Sequence, residues 1–498
     1  MKNIPGYIRV AVMEHVIGLK TANSFIKVVF LSFIVFLISC NLSYGDAKAA
    51  NASKDLTRLS LEELMGIEVD TVYGASKFEQ KTTEAPSSVS IVTASDIKRY
   101  GYRTLGDILN SVAGFYITYD RNYHYIGVRG FSPPGDYNTR VLLLVDGHKI
   151  NDNIYNTAYI GMEFPLDIDL IDRVEVIRGP GSSIYGSNAF LGTVNIITKR
   201  GKDYRGLEFS DEAGSFDTYK NRITFGDIYK KTLDVLLSAS FFNSKGQNLY
   251  FKEFDTPATN NGRADGVDGE RYNSFFGNIR YRDLTLQGAY ITREKIVPTA
   301  PWGSEFNTNQ TKTTDDSGYL NLKYKKDIDA KSTFMSRLFY NYYYYDGSYI
   351  YNRPPFIRVK DLAWGKSWGG EMQYNSRLYD RHLVTTGLEY QDNFLQKQRN
   401  FDETPYTQYL NDTRGSYYWA AFVQDQFNIM DNLILNAGVR HDYYKIFHGN
   451  TSPRAGIIYS PFEKTTLKFI YGEAFRVPNM YELYYNDGNI TQKSRLMS

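Results

Sequence analysis

Thr218-Tyr219-Lys220-Asn221-Arg222-Ile223-Thr224-Phe225 is followed, after a short turn at Asp227 to Lys231, by Leu233-Asp234-Val235-Leu236-Leu237-Ser238-Ala239-Ser240-Phe241. Side chains alternate across a strand, so residues two apart share a face. Tyr219, Asn221, Ile223 and Phe225 fall on a mainly apolar face, and Thr218, Lys220, Arg222 and Thr224 on a polar one. Leu233, Val235, Leu237, Ala239 and Phe241 make the next apolar face. The device recurs around Asp283, with Phe275, Gly277, Ile279 and Tyr281 before it and Leu284, Leu286, Gly288 and Tyr290 after it. Asp431-Asn432 and Pro461 to Lys464 join later pairs, while long polar segments separate the hairpins at Lys245 to Arg271, Lys295 to Asp316 and Asp392 to Arg414. Short turns on one side and long loops on the other are the arrangement of an outer-membrane β-barrel. A soluble all-β sandwich or propeller also uses alternating strands. Strands of roughly ten residues with tyrosine-rich ends, as in Leu338 to Tyr345, favour the membrane reading.

Composition agrees. Aromatic residues make up 15% of the 498 residues, with 43 Tyr and 30 Phe, and the chain is polar on average. Helical membrane proteins need long apolar runs, whereas a barrel alternates apolar and polar positions between aromatic girdles. A net charge of +2 gives no argument for nucleic-acid binding. The single cysteine, Cys40, excludes a disulfide scaffold or a cysteine-based metal site.

The one long apolar run is Val28 to Ser39, preceded by Lys20 and Lys27 and followed by small residues at Ser43-Tyr44-Gly45 and Ala47-Lys48-Ala49. This is the layout of a secretory signal, placed at residues 1–45. The run is short for a membrane anchor. Leu37-Ile38-Ser39-Cys40 also has the form of a lipoprotein box, which would lipidate Cys40. A polar segment, 46–80, follows. Within it Leu59 to Met65 has helical spacing and a capping-box pattern at Ser60 and Glu63. Residues 81–200 are globular and of α+β character. Ser87 to Thr93 alternates as a strand, and Ser95 to Val112 has helical apolar spacing with a stop at Gly114. Val141 to Val145 is a buried strand ending in a turn at Asp146-Gly147, and Val174 to Ile177 and Gly192 to Thr198 are further strands. Residues 205–498 are the barrel part.

Several motifs, in one order and spacing, resemble the TonB-dependent receptor family. Ala85-Pro86-Ser87-Ser88-Val89, Val128-Arg129-Gly130-Phe131 and Leu144-Val145-Asp146-Gly147 lead up to Ile171-Asp172-Arg173-Val174-Glu175-Val176-Ile177-Arg178-Gly179-Pro180. Tyr185-Gly186-Ser187-Asn188-Ala189 and Gly192 to Thr198 complete that part, and Ser452 to Gly456 and Tyr471 to Pro478 resemble later barrel strands. The resemblance implies an α+β plug domain in the lumen of an antiparallel barrel of about 22 strands. The region from 205 holds about 13 candidate strands, so the barrel is expected to be incomplete and the chain truncated at its C-terminus.

The resemblance also implies a mechanism. The inner-membrane TonB energy-coupling complex pulls on a short N-terminal segment to open a path for a small-molecule metal chelate. The segment matching that role is Ile67, Glu68, Val69, Asp70, Thr71, Val72 and Tyr73, a β-prone stretch able to add to a partner's sheet edge. Arg129, Arg173, Glu175 and Arg178 are expected inside a polar lumen as plug–barrel or intra-plug ion pairs, since a buried charge must be paired. Substrate contacts are expected from Tyr123, His124 and Tyr137 on the plug and from Tyr349, Tyr351, Arg353 and Trp364 on barrel loops. Aromatic and cationic groups of this kind suit anionic aromatic iron chelates, although an interfacial girdle explains the same aromatic residues.

A ferric siderophore is the first expectation for the ligand, then cobalamin, then haem. Haem would want an exposed axial histidine, and the chain offers few, among them His124, His148, His382, His441 and His448. No covalently bound cofactor or resident metal is expected. The acidic loop of Asp265, Asp268 and Glu270 is a weak Ca²⁺ candidate without EF-hand spacing. No Gly-x-Ser-x-Gly elbow, His-Glu-x-x-His or P-loop occurs, so an enzyme is not expected. A passive porin has no need of the folded 81–200 segment. The expected setting is the outer membrane of a Gram-negative bacterium, in contact with its lipid, as a monomer without nucleic acid.

Overall fold

The computed structural model describes residues 71–133, 135–352, 356–462 and 465–486, all within one compact unit, Val69–Ser498. The signal segment, Cys40, the Leu59 to Met65 segment, Ile67 to Asp70 and Arg353 lie outside the described residues. Two parts pack together: a small α+β plug, and a curved sheet of 13 strands from Gly206–Gly214 to Thr465–Gly472.

The plug is built on a five-stranded mixed sheet. Its order is Ser88–Thr93, Ile171–Arg178, Gly192–Thr198, Val141–Val145 and His148–Lys149, with Val141–Val145 parallel to Gly192–Thr198. Val141 to Val145 is buried on both faces, which is why that run does not alternate. The helical stretch read as continuous from Ser95 to Val112 is two helices, Ala94–Tyr100 and Leu105–Asn110. Gly101 interrupts them in the left-handed conformation (φ 66°) and caps the first. Thr93 and Thr104 each close a capping box with the aspartate three residues on. Their apolar faces, with Leu105, Ile108 and Leu109 fully buried, pack on the sheet in a core that continues onto barrel residues such as Phe276, Tyr343 and Ala363.

Every neighbouring pair in the large sheet is antiparallel and consecutive in sequence. The alternation is inverted relative to a soluble protein. Leu338, Leu388, Met372 and Phe469 point out and are exposed, while Arg337, Gln373, Asn436 and Arg440 point in and are buried. That pattern belongs to a barrel whose outside meets lipid and whose lumen is polar. Among the described residues no helix is long and apolar enough to cross a membrane.

Tight turns join strands at one rim, between Tyr281 and Leu284, Asp329 and Ser332, Leu378 and His382, and Met430 and Leu433. Longer connections lie at the other rim, 245–269 and 297–311 being the largest. Asp392 to Arg414, expected as a loop, instead belongs to two very long strands, His382–Glu403 and Tyr406–Met430, of 22 and 25 residues. At about 3.3 Å per residue the first is roughly 70 Å long, far beyond an apolar band of about 25 Å, so much of it stands in water. There both faces are polar, and the sequence carries no alternation to mark a strand. The sheet is open: its first and last strands do not pair with each other.

Candidate functional site

At the long-connection rim, a cavity of about 600 Å³ opens between the plug and the barrel wall. Its plug side is the hairpin Phe115–Tyr119/His124–Val128. Asp120 shapes the hairpin tip by accepting from the Asn122 and Tyr123 amides at 2.8 and 2.7 Å, an Asx-turn. Asn138 supports it from below, accepting from Ile126 N at 2.7 Å and donating to the His124 and Ala158 carbonyls at 3.0 Å.

The wall holds the tip by one buried guanidinium. Arg293, 1% exposed, donates to Glu270 at 2.6 Å, to Asp315 at 3.1 Å and to the Asn122 carbonyl at 2.6 Å. The Tyr123 hydroxyl donates to Asp315 at 3.0 Å. A third contribution comes from the segment after the last strand, which folds inward over the plug. Its short helix, Met480–Tyr484, is capped by Asn479, whose amide also donates to the Tyr155 carbonyl at 2.7 Å. Met480 N donates to the Ile154 carbonyl at 3.0 Å. This places Tyr481 and Tyr485 in the cavity wall, with the Tyr485 hydroxyl donating to Asp361 at 3.1 Å.

Of the sequence-predicted contacts, Tyr123, His124, Tyr137, Tyr349 and Tyr351 all line this one cavity. Trp364 does not. It pairs across the sheet with Tyr344, packs on it at a tilt of 42° with ring centroids 5.5 Å apart, and faces outward with it as part of the girdle. Alternation explains this, because Arg337, Tyr343, Tyr345, Tyr349 and Tyr351 are all odd-numbered on their strand and inward, while Tyr344 is even. The same parity could have found Tyr343 and Tyr345, which sequence reading missed. It also missed Tyr155, Tyr159, Glu163 and Tyr485, which come from irregular segments, and Tyr481, whose helix is too short to show a period. Burial first, then nearby acidic groups and phenols, holds the Tyr123, Tyr137, Tyr155 and Tyr159 hydroxyls above their ordinary range. They are neutral donors and acceptors at physiological pH.

The predicted ion-pair set divides. Arg173 donates to the fully buried Glu175 at 3.2 and 3.0 Å, an intra-plug pair. Arg178 instead donates to the Ala113 carbonyl at 2.8 Å and Ser90 Oγ at 2.9 Å. Arg129 is exposed at a turn (φ 51°) and has no ion pair among the described residues. Neither sits against a carboxylate, because the plug sheet directs them to its own backbone and to solvent. In the acidic loop, Asp268 meets Lys295 at 2.6 Å, Glu270 meets Arg293 and Asp265 meets Arg263 at 3.4 Å.

At the short-turn rim a second cavity of about 700 Å³ is lined by Tyr73, Lys77 and Arg173 from the plug and by Arg280, Arg282 and Lys323 from the wall. The described part of the expected pulling segment is folded here rather than loose. Thr71–Val72 pairs with Gln80–Lys81, and Val72 is fully buried. Glu175 accepts from the Tyr73 and Gly74 amides at 3.2 and 2.9 Å and from Asn195 at 3.0 Å. Lys77 pairs with wall residue Glu371 at 2.5 Å.

Around the plug, wall cations mostly address backbone carbonyls. Arg337 donates to Asp146 and Gly147, Arg440 to Ile184, Arg454 to Ala75 and Pro86, and Lys468 to Thr82, Ala85 and Ser87. None of these cations stood out in the sequence, since a lumen charge looks like any solvated one until its strand has a register.

Residues 81–193 match the TonB-dependent receptor plug domain, and residues 253–494 match the TonB-dependent receptor-like β-barrel. Among curated proteins, the vitamin B12 transporter BtuB of Vibrio cholerae is 22% identical over 429 residues, covering 83% of this chain and 63% of that protein. The ferric enterobactin receptor PirA of Pseudomonas aeruginosa is 24% identical over 529 residues, covering 92% of this chain and 68% of the relative. Among solved structures, a variant of the ferric enterobactin receptor PfeA of P. aeruginosa superposes with a TM-score of 0.58 at 20% identity, over 80% of this chain and 64% of that one. The ferric-catecholate import receptor Fiu of E. coli gives 0.60 at 16% identity, over 81% and 72%. The chain thus spans somewhat under two thirds of the length of the first of these relatives.

Proposed function

This chain belongs to the TonB-dependent receptor family, and we propose that it serves energised uptake of a scarce metal chelate across the outer membrane, with a ferric siderophore as the first reading. The observation that carries this is the cavity of about 600 Å³, whose residues come from plug, wall and inward-folded segment alike. A ligand seated there touches the plug at Tyr123 and Tyr137 and the wall at Tyr345 and Tyr349, so its arrival is felt by the part that must move. Relatives named for ferric enterobactin and for vitamin B12 support the class of cargo.

The partner in this reading is TonB, acting on residues 67–73 from the periplasmic side. Tyr73, Lys77 and the tight turns lie at the same rim, opposite the ligand cavity. Tension on the segment first meets the Glu175 carboxylate on the Tyr73 and Gly74 amides and then the Lys77–Glu371 pair. Cobalamin is the second reading. Its many amide donors suit a cavity of tyrosine hydroxyls and carboxylates.

The test is uptake of radiolabelled iron chelates and of cobalamin by cells expressing the full chain, with and without TonB. One ligand should accumulate only with TonB present. A variant lacking residues 67–73 should bind that ligand and fail to accumulate it. Accumulation that persists without TonB would point to a passive channel and sink the proposal.

A further inference from the structure

Plug and wall meet in two different ways. The plug's apolar core takes in wall residues Leu236, Phe276, Ala289, Tyr319, Tyr343, Tyr345 and Ala363. All of these lie on strands from Leu233–Ser244 to Ile357–Leu378. Among the described residues, the five strands that follow, from His382–Glu403 to Thr465–Gly472, add none to it. What they offer instead is amide and hydroxyl. On His382–Glu403 the inward side chains run from Asn400 through Gln398, Gln396, Asn393 and Gln391 to Thr385, all buried, with Gly387 and one carboxylate, Glu389, between them.

Nearer the tight-turn rim this polar patch widens across three strands, Thr385 standing opposite Gln424 and Gln426 opposite Asn436. Thr385 Oγ1, Gln424 Nε2, Gln426 Oε1 and both amide atoms of Asn436 are buried without a hydrogen-bond partner. On one flank Gln373 donates to the Lys77 carbonyl at 2.8 Å, and on the other Arg454 donates to the Ala75 carbonyl at 3.2 Å. The plug segment nearest the pulling site therefore meets the wall on both sides of the patch. Open space lies along the same wall. The ligand cavity reaches Asn400. A smaller cavity of about 80 Å³ is lined by Gln391, Asn393 and Gln396 from the wall and by Asn153 and Asn188 from the plug. The periplasmic cavity reaches Gln373 and Asn375.

Parting an apolar seam exposes hydrocarbon to water. Parting an amide seam gives buried groups the hydrogen bonds they lack. Charged clamps stand on both sides, Lys220 on Asp167 at one and Arg440 on the Ile184 carbonyl at the other, so they do not decide between the two. Resting on the uptake reading above, we infer that the plug opens along the amide wall and stays hinged on the apolar one, so that cargo passes to the periplasm beside Gln391, Gln424, Gln426 and Asn436. Neutral donors and acceptors of this kind hold a polar cargo loosely enough to release it again. Tension on the pulling segment reaches this side through Lys77 and Glu371.

Gln426 and Asn278 are matched for a test. Each is 6% exposed and stands three or four residues from a tight turn. Gln426 is on the amide wall, and Asn278 is on the apolar one, where it donates to Thr198 of the plug at 3.4 Å. Gln426→Cys and Asn278→Cys are made in the full chain carrying Cys40→Ser. The purified proteins are modified with a maleimide at urea concentrations that leave the barrel folded. Gln426→Cys is expected to react at least about tenfold faster than Asn278→Cys. Thr385→Cys and Ser240→Cys, both 1% exposed, replace them if either loses the heat-modifiable migration of a folded barrel. Separately, Thr198→Cys with Asn278→Cys is joined by a reducible bis-thiosulfonate crosslinker, which ties the plug to the apolar wall. Cells with the joined chain should still accumulate radioiron from ferric enterobactin or radiocobalt from cyanocobalamin, whichever the unjoined chain takes up.

Reaction at Asn278→Cys as fast as at Gln426→Cys overturns the inference. So does accumulation that the closed Thr198–Asn278 bridge stops and reduction restores. If the unjoined chain takes up neither compound, the uptake reading fails, and the order of reaction still decides which wall releases the plug.

Discussion

His148 shows how a single side chain couples the plug to its surroundings. It is 1% exposed, its Nε2 meets Asn341 Oδ1 on the wall at 2.9 Å, and its ring packs on Tyr319 and Phe339. Burial, and then the guanidinium of Arg337, push its pKa down to about 3. In the unfolded chain the same imidazole titrates near pH ~6.5. Below that pH the unfolded state takes up a proton that the folded state refuses, so stability falls as pH drops from about 6.5 towards 3 and is unaffected above that window. The expected loss is about 2 kcal/mol by about pH 5. His148→Gln should abolish this part of the pH dependence, read as the shift of the urea midpoint between neutral and mildly acidic buffer. If the variant and the natural protein lose stability in parallel, His148 is not the group responsible. The carboxylate that secures Tyr73 and Gly74 gives a second residue-scale expectation. Glu175→Gln keeps the shape but removes the buried charge on which the Tyr73 and Gly74 amides and Asn195 converge, while the half-buried Arg173 keeps Asp172 as a partner. Destabilisation of the plug by about 1–2 kcal/mol is expected, as for weakened charge-assisted hydrogen bonds, with earlier proteolysis at residues 71–79 as the readout.

Helices and strands differ in how much of themselves the sequence exposes. The break between the plug helices was missed because apolar spacing runs through it, with Ile97 and Leu105 both buried. The signal lay in Thr104 and Asp107, a second capping box that announces a second start. Gly101 is the element-scale test. A Cβ at Gly101 meets nothing within 4 Å, so a substitution there suffers only the left-handed backbone. Gly101→Ala should cost about 1 kcal/mol, Gly101→Val more and Gly101→Asn least, in denaturant titrations of the full chain. Equal cost across the three would mean that packing, and not backbone, fixes that residue. In the barrel, alternation was legible wherever one face meets lipid and the other the lumen, which is why the strand number was readable. It faded in the outer halves of His382–Glu403 and Tyr406–Met430, where the inward residues, such as Gln396, Gln398 and Asn400, are buried but polar and the outward ones are mostly polar too, so composition marks no period of two. The cavity was half legible for the same reason. Tyr349 and Tyr351 lie on a strand with a parity, whereas Glu163, from an irregular segment, and Tyr481, from a helix of five residues, are brought together only by the three-dimensional chain path.

At the scale of the whole molecule, the plug is held by contacts that water can replace. Wall arginines and lysines donate to plug carbonyls, and each such charge-assisted bond contributes about 1.5–3 kcal/mol at most in exchange with solvent. The apolar plug core, by contrast, is largely internal to the plug. A body stabilised from within and fastened at its edge by exchangeable polar bonds can leave or rearrange without unfolding completely. The Lys77–Glu371 pair at the periplasmic rim joins the segment nearest the pulling site directly to the wall, so movement must separate these two residues. That can be prevented covalently. Cys40 is the one cysteine of the chain and lies in the predicted targeting segment, so an engineered pair, Lys77→Cys with Glu371→Cys, can be joined without competition, once that segment is removed, by a reducible bis-thiosulfonate crosslinker that spans the reach of the two long side chains it replaces. Crosslinked, the double variant should bind ligand with unchanged affinity and accumulate none. Reduction should restore accumulation, and each single variant should transport with or without the crosslinker. Transport that continues through the closed bridge would mean that ligand passes while residues 71–79 stay against the wall. The moving part would then lie further along the plug, towards the hairpin that Arg293 holds.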